Sequence, residues 1–133
     1  GTTNPSEKLE VNGNILASGN ITAFSDERLK EDIQPINNAL EKIKQISGYT
    51  YTRNDLEDKT KKHIGVLAQE VLKVLPEVVH GSEENNYSVA YGNMVGILIE
   101  AIKEQDKIIE GQQTKIDSQE KRLSNLEAKI KRL

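Results

Sequence analysis

The chain has 133 residues, of which 35% are hydrophobic and 4% aromatic, and its net charge is −3. That length holds one domain, or a small domain with an extended element, and its apolar share is well below the roughly half that is usual for a self-sufficient globule, so partner chains are expected to bury surface. The small charge gives no electrostatic footprint for nucleic acid, the absence of cysteine excludes disulfides and thiolate metal sites, and no apolar run approaches the ~20 residues of a membrane span.

Residues 1–24 lack the basic start and apolar run of a signal peptide, which predicts a soluble protein made in a cytoplasm. They contain an internal echo: Gly13-Asn14-Ile15-Leu16-Ala17 recurs six residues later as Gly19-Asn20-Ile21-Thr22-Ala23. Leu9 and Val11 alternate with polar neighbours, and Asn12-Gly13 is a turn pair between β-like runs. Strands this short bury no face alone. Two readings stand, a flexible linker or the last rungs of a trimeric fibre stalk, and the second is preferred.

Residues 25–34 are charged and irregular, with Leu29 and Ile33 as anchors. After Pro35, the residues Ile36, Ala39, Leu40 and Ile43 follow helical spacing, with Asn37 or Asn38 as the cap, and the helix stops near Ser47-Gly48. Tyr49-Thr50-Tyr51-Thr52 reads as a strand. Residues 54–62 form a polar loop, a hairpin tip or protruding arm. Ile64, Val66, Leu67, Val71 and Leu75 predict a strand passing into a helix that Pro76 closes. Val78 and Val79 are extended, residues 81–86 turn, and Tyr87 to Tyr91 form a short strand.

From Tyr91 to Leu133 the pattern is helical. Val95, Ile102, Ile109, Ile116, Leu123 and Ile130 recur every seven residues at heptad position a, and Leu98, Gln105, Gln112, Gln119, Leu126 and Leu133 occupy position d. An aliphatic side chain at every a position predicts a coiled coil, about 60 Å long at 1.5 Å per residue. Lys115 at g would face Glu120 at e of a neighbouring chain, and Arg122 would face Glu127, which agrees with a parallel register. The expected assembly is a parallel homotrimer with a parallel dimer as the alternative. A three-fold axis lets three Gln side chains close a ring, or hold trapped water or an anion.

Ser25 and Lys30 form a candidate Ser–Lys dyad, in which the hydroxyl attacks a carbonyl and a neutral amine takes its proton. On spacing alone a solvated turn with a charged face is the commoner reading. The two residues stand five apart. In a strand an odd spacing puts them on opposite faces, and in a helix five steps leave them about 140° apart. Either the segment bends, with Asp26 as the residue that could seed a turn, or the partner comes from a neighbouring chain.

The stretch Ser25-Asp26-Glu27-Arg28-Leu29-Lys30-Glu31-Asp32-Ile33 resembles the opening motif of the intramolecular chaperone auto-processing domains of phage endosialidase tailspikes, tail fibres and neck appendages. Three further stretches match in order: Gly65-Val66-Leu67-Ala68-Gln69-Glu70-Val71, then Leu75-Pro76-Glu77-Val78-Val79, then Val89-Ala90-Tyr91 leading to Ala101-Ile102-Lys103-Glu104-Gln105. The resemblance covers about residues 14 to 107.

It implies an α+β fold, with a small mixed globular domain at 25–90, a coiled-coil helix at 91–133 and the end of a β stalk at 1–24. It implies a C-terminal intramolecular chaperone that trimerises and folds an upstream viral fibre of the same polypeptide. That chaperone then cuts itself off at Phe24–Ser25. Ser25 would be the nucleophile, and Lys30 the general base. His63, just before the second motif, would assist proton transfer or orient the Phe24 carbonyl. A bland exposed loop His is the equal alternative there. His80 reads as structural, and Asp26 as positioning the loop.

Because the cut happens once per chain, it need not be fast. A rate of about 10⁻⁴ per second corresponds to a barrier of roughly 23 kcal/mol, against roughly 16 for a turnover enzyme near 10 per second. No metal, cofactor, nucleic acid or membrane is expected. The expected location is a virion fibre or appendage precursor assembled in the host cytoplasm. A non-cleaving structural trimerisation domain is the alternative function, and an ordinary serine hydrolase fares worst because no Gly-x-Ser-x-Gly elbow is present. The role of Gln69-Glu70 stays open between polar anchoring of the Ser loop and helix solvation.

Overall fold

In the computed structural model, which describes residues 3–133, the chain divides after Ile33 into two units. In the first, the regular element is a 3-10 turn at Glu27–Leu29. The β-like rungs expected before Phe24 do not form among the described residues, and Gly1 and Thr2 lie outside them. The physical reason is the lack of a partner, since a strand needs a hydrogen-bonded neighbour. The apolar side chains of the echo are left bare, with Leu16 98% and Ile21 82% exposed.

The second unit runs α1 (Ala39–Ile43), β1 (Tyr49–Tyr51), β2 (His63–Gly65), α2 (Ala68–Val74), β3 (Val79–Ser82), β4 (Asn86–Val89) and α3 (Val95–Lys131). Short 3-10 turns at Pro76–Val78 and Tyr91–Met94 lead into β3 and α3. The strands form two antiparallel pairs. In one, Tyr49 lies opposite Gly65 and Tyr51 opposite His63. In the other, Val79 lies opposite Val89 and Ser82 opposite Asn86. The β3–β4 hairpin closes through Gly81 at φ 90° and Asn86 at φ 62°. A side chain at Gly81 would collide with the Asn86 carbonyl, so the bend needs glycine there.

The core gathers α1 and the first turns of α3 with buried residues of α2 and of the turn that follows it. Ile97 and Val71 are fully buried, joined by Ala39, Leu75, Val78, Met94 and Ala101. Fully burying a side chain such as Ile97 or Val71 stabilises by about 1.5–3 kcal/mol. Ile97 and Ala101 stand four apart on α3 and so share one face. That face continues to Glu104, which does what Asn37 or Asn38 was expected to do. Asn38 sits at the N-cap of α1 with left-handed backbone and makes no side-chain cap bond. Instead the Ala39 N–H donates to Glu104 Oε1 at 3.0 Å and the Leu40 N–H to Glu104 Oε2 at 2.9 Å. The orphan donors of a helix start thus meet a carboxylate.

The observed fold is a small mixed α/β unit with two small sheets and a long terminal helix. At 37 residues α3 is about 55 Å long. Every side chain beyond Glu104 is exposed in the single chain.

Candidate active site at the Ser25–Lys30 turn

The turn begins with Asp26. Its carboxylate oxygen Oδ1 accepts the Arg28 N–H at 2.9 Å, closing a local ring two residues long. The Leu29 N–H donates to the Asp26 carbonyl at 3.1 Å and the Lys30 N–H to the Glu27 carbonyl at 3.0 Å, which completes a 3-10 turn. The Arg28 guanidinium reaches back to the same carboxylate, with Nη2 2.6 Å from Oδ2 and Nε 3.0 Å from Oδ1. Arg28 holds the Asp26 carboxyl below its usual range, first through these side-chain bonds and then through the backbone one.

The consequence is the meeting of Ser25 and Lys30. Lys30 Nζ donates to Ser25 Oγ at 2.8 Å and to the Ser25 carbonyl at 3.2 Å. The bend that neither a strand nor a helix supplies comes from the Asp26 cap, and the contact forms within one chain. Arg28 takes the Asp26 carboxylate, so Lys30 has no carboxylate within ion-pair distance among the described residues. Ser25 and Lys30 are both exposed, and so is Phe24 at 95%. The arrangement places an amine on a hydroxyl, which is the geometry required of a base and nucleophile pair.

His63 lies on β2 in the second unit. Its ring stacks on Tyr51 across the strand pair, with centroids 5.9 Å apart and planes 20° from parallel. Its Nε2 atom is buried and without a hydrogen-bond partner among the described residues. Behind it, the Val66 N–H donates to the Tyr91 hydroxyl at 3.3 Å. Gly65 makes this approach possible, since a Cβ there would stand 2.5 Å from the Tyr91 hydroxyl and 3.1 Å from that of Tyr51. His80 is exposed on β3, opposite Ser88.

The structure also gives Glu70 a role. Its Oε1 accepts the Tyr49 hydroxyl at 2.6 Å and its Oε2 the Ser47 N–H at 2.9 Å. The Tyr49 hydroxyl, then the Ser47 N–H, hold its carboxyl below the usual range. Glu70 therefore anchors the α1–β1 connection. The motif marked the residue, but its partners lie 21 and 23 positions away, and sequence order offers no pointer to them.

The family described as chaperone of endosialidase matches residues 25–80. These residues belong to the endosialidase-chaperone family. The match begins at Ser25 and takes in the first three of the four motifs, while Val89-Ala90-Tyr91 and residues 101–105 lie beyond it. The family is classed among the serine peptidases.

Several curated proteins are similar to the chain. The long tail fibre protein Gp37 of Escherichia phage AR1 is 34% identical over 87 residues, which cover 60% of this chain and 8% of that protein. Gp37 of Salmonella phage S16 is 30% identical over 107 residues, or 71% of this chain and 14% of that protein. An uncharacterised membrane protein of Dictyostelium discoideum is 38% identical over 92 residues, covering 59% of this chain and 5% of its own length. The chain thus spans a small fraction of the relatives it matches. None of its helices is long and apolar enough to cross a membrane among the described residues.

Proposed function

We propose that this endosialidase-chaperone domain trimerises and folds a viral fibre segment that precedes it in the same polypeptide, then releases itself by cutting Phe24–Ser25. The observation that carries the reading is the 2.8 Å contact of Lys30 Nζ with Ser25 Oγ, at the residue where the family match begins. The similarity to phage long tail fibre proteins supports a virion fibre as the setting, and the proposed place of assembly is the host cytoplasm.

Neutral Lys30 takes the Ser25 hydroxyl proton as Oγ attacks the Phe24 carbonyl carbon. The C–N bond of the peptide breaks, and the proton passes from Lys30 to the departing Ser25 nitrogen. The product is an ester between the Phe24 carbonyl and Ser25 Oγ, with a free Ser25 amine. Water then hydrolyses the ester, leaving a Phe24 carboxylate and restoring the Ser25 hydroxyl. The Lys30 contact with the Ser25 carbonyl holds the amine in place through the sequence. Asp26 and Arg28 set the turn and take no proton.

The trimer is carried by α3. Its exposed seam of Val95, Leu98, Ile102, Ile109, Ile116, Leu123, Leu126 and Ile130 repeats with the heptad and finds no cover in the single chain. Leu133 ends the seam beyond the helix.

Denaturing electrophoresis of freshly made protein, with sedimentation of the native form, tests the reading. Fragments of the masses of 1–24 and 25–133 from a trimeric species are expected. A trimer that never changes mass would leave a structural trimerisation domain in its place.

A further inference from the structure

Two faces of α3 do different work. Ile97 and Ala101 are buried against the rest of the second unit, and Glu104 caps α1. The aliphatic a and d side chains from Val95 to Ile130 are 45–66% exposed. Three successive d positions on that exposed seam are Gln105, Gln112 and Gln119, flanked by Leu98 before and Leu126 after. These three amides make no hydrogen bond among the described residues, whereas Gln113, one step off the seam, donates to Asp117 at 2.8 Å. The flanks of the seam are sorted by charge. Position g carries Lys115, Arg122 and Lys129, and position e carries Asp106, Glu120 and Glu127. Of these, Lys115, Arg122, Glu120 and Glu127 form no ion pair among the described residues.

We infer that the glutamine layers fix the register of the assembly, aligning three copies of α3 level with one another. The inference rests on the trimer proposed above. Charge selects direction first. A parallel arrangement puts Lys115 against Glu120 and Arg122 against Glu127 of the next chain, while an antiparallel one would set basic g positions against each other. Charge does not select register, because a chain slipped by one heptad lets Lys115 face Glu127 instead. The aliphatic a positions do not select it either, since their repeat matches itself after seven residues.

The amides do select it. In register, each glutamine N–H donates to the carbonyl of the next chain and three amides close a ring about the axis. After a one-heptad slip, Gln119 lies beside Leu126 and Gln105 beside Leu98. Those amides are then buried with an incomplete ring, the costly case for a polar group in an apolar layer. Polar core positions that set alignment at a cost in stability are a known device of coiled coils.

The chain has no cysteine, so introduced thiols report alignment without interference. Lys115→Cys chains are co-assembled with either Glu120→Cys or Glu127→Cys chains and oxidised. In the native seam, disulfides between positions 115 and 120 are expected to exceed those between 115 and 127 by at least about tenfold, a ratio worth roughly 1.4 kcal/mol. In a background of Gln105→Leu, Gln112→Leu and Gln119→Leu, the trimer persists and melts at least about 5 °C higher, and the two disulfides form to similar extents. A triple-Leu trimer that keeps the native preference, or that melts lower than the native one, overturns the inference and leaves the trimer standing. Sedimentation of the unaltered protein as a monomer or dimer overturns the trimer and the inference together.

Discussion

Glu104 and Leu40 lie 64 positions apart, yet Glu104 Oε2 accepts the Leu40 N–H at 2.9 Å. The bond, with its companion to Ala39, ties the start of α1 to the long helix. These backbone donors, Leu40 first and then Ala39, hold the Glu104 carboxyl below its usual value. A carboxyl with a lowered folded pKa contributes stability that is fully present above its unfolded value, about 4.5, and is lost as pH falls through the lower folded value. Glu104→Gln is therefore expected to lower the melting temperature by a few degrees at pH 7, with a gap that closes as pH falls below about 4.5. Circular dichroism melts of the two proteins against pH give that difference, which isolates Glu104 from Glu70 and Asp26, whose carboxyls are also lowered.

Gly65→Ala places a methyl group 2.5 Å from the Tyr91 hydroxyl. The crowding is expected to destabilise the second unit by about 1–3 kcal/mol. Removing the obstructing oxygen with Tyr91→Phe in the same chain should recover part of the loss, though the Val66 N–H then loses its acceptor. A double-mutant cycle by urea unfolding measures both effects.

Asp26→Ala removes the acceptor that bends the chain after Ser25. Cutting is expected to slow by about 10–100-fold, the scale of a small misplacement of reacting groups. Asp26→Asn keeps an oxygen at the cap and should retain most of the rate. Time courses of fragment release compare the two, and equal rates for Asp26→Ala and the native protein would remove the turn from the account.

The contrast between Asp26 and Glu104 marks what could be read from sequence. The Asp26 turn is local, and an Asp followed two positions later by a backbone donor is a familiar bend, so the meeting of Ser25 with Lys30 was one of two open geometries. The heptads of α3, the β1 strand and the strand-to-helix passage into α2 were legible because period and composition are local too. The caps by Glu104 and Glu70 were not, because their partners are brought together only by packing. Residues 3–24 show the reverse, with β-like patterning that forms no strand without a neighbour. The opening motif pointed to Ser25, but only the bend puts Lys30 Nζ on its hydroxyl.

Breaking the seam tests the link between assembly and cutting. Ile109→Asp with Ile116→Asp puts charges on two exposed seam layers, far from Ser25 and Lys30 in sequence. Sedimentation should show monomers. Ser25 and Lys30 are exposed in the single chain; if neighbouring chains of the proposed trimer exclude water from the turn, these monomers fail to cut. Monomers that process at the native rate would separate cutting from assembly.

The Ser25 hydroxyl carries the proposed cut, and intact-mass spectrometry of the native and Ser25→Ala proteins tests it. The native protein is expected to yield a fragment beginning at Ser25, while Ser25→Ala folds, sediments as the same trimer and keeps the Phe24 to residue 25 bond whole. A Ser25→Ala protein that still releases a fragment beginning at residue 25 would contradict the account.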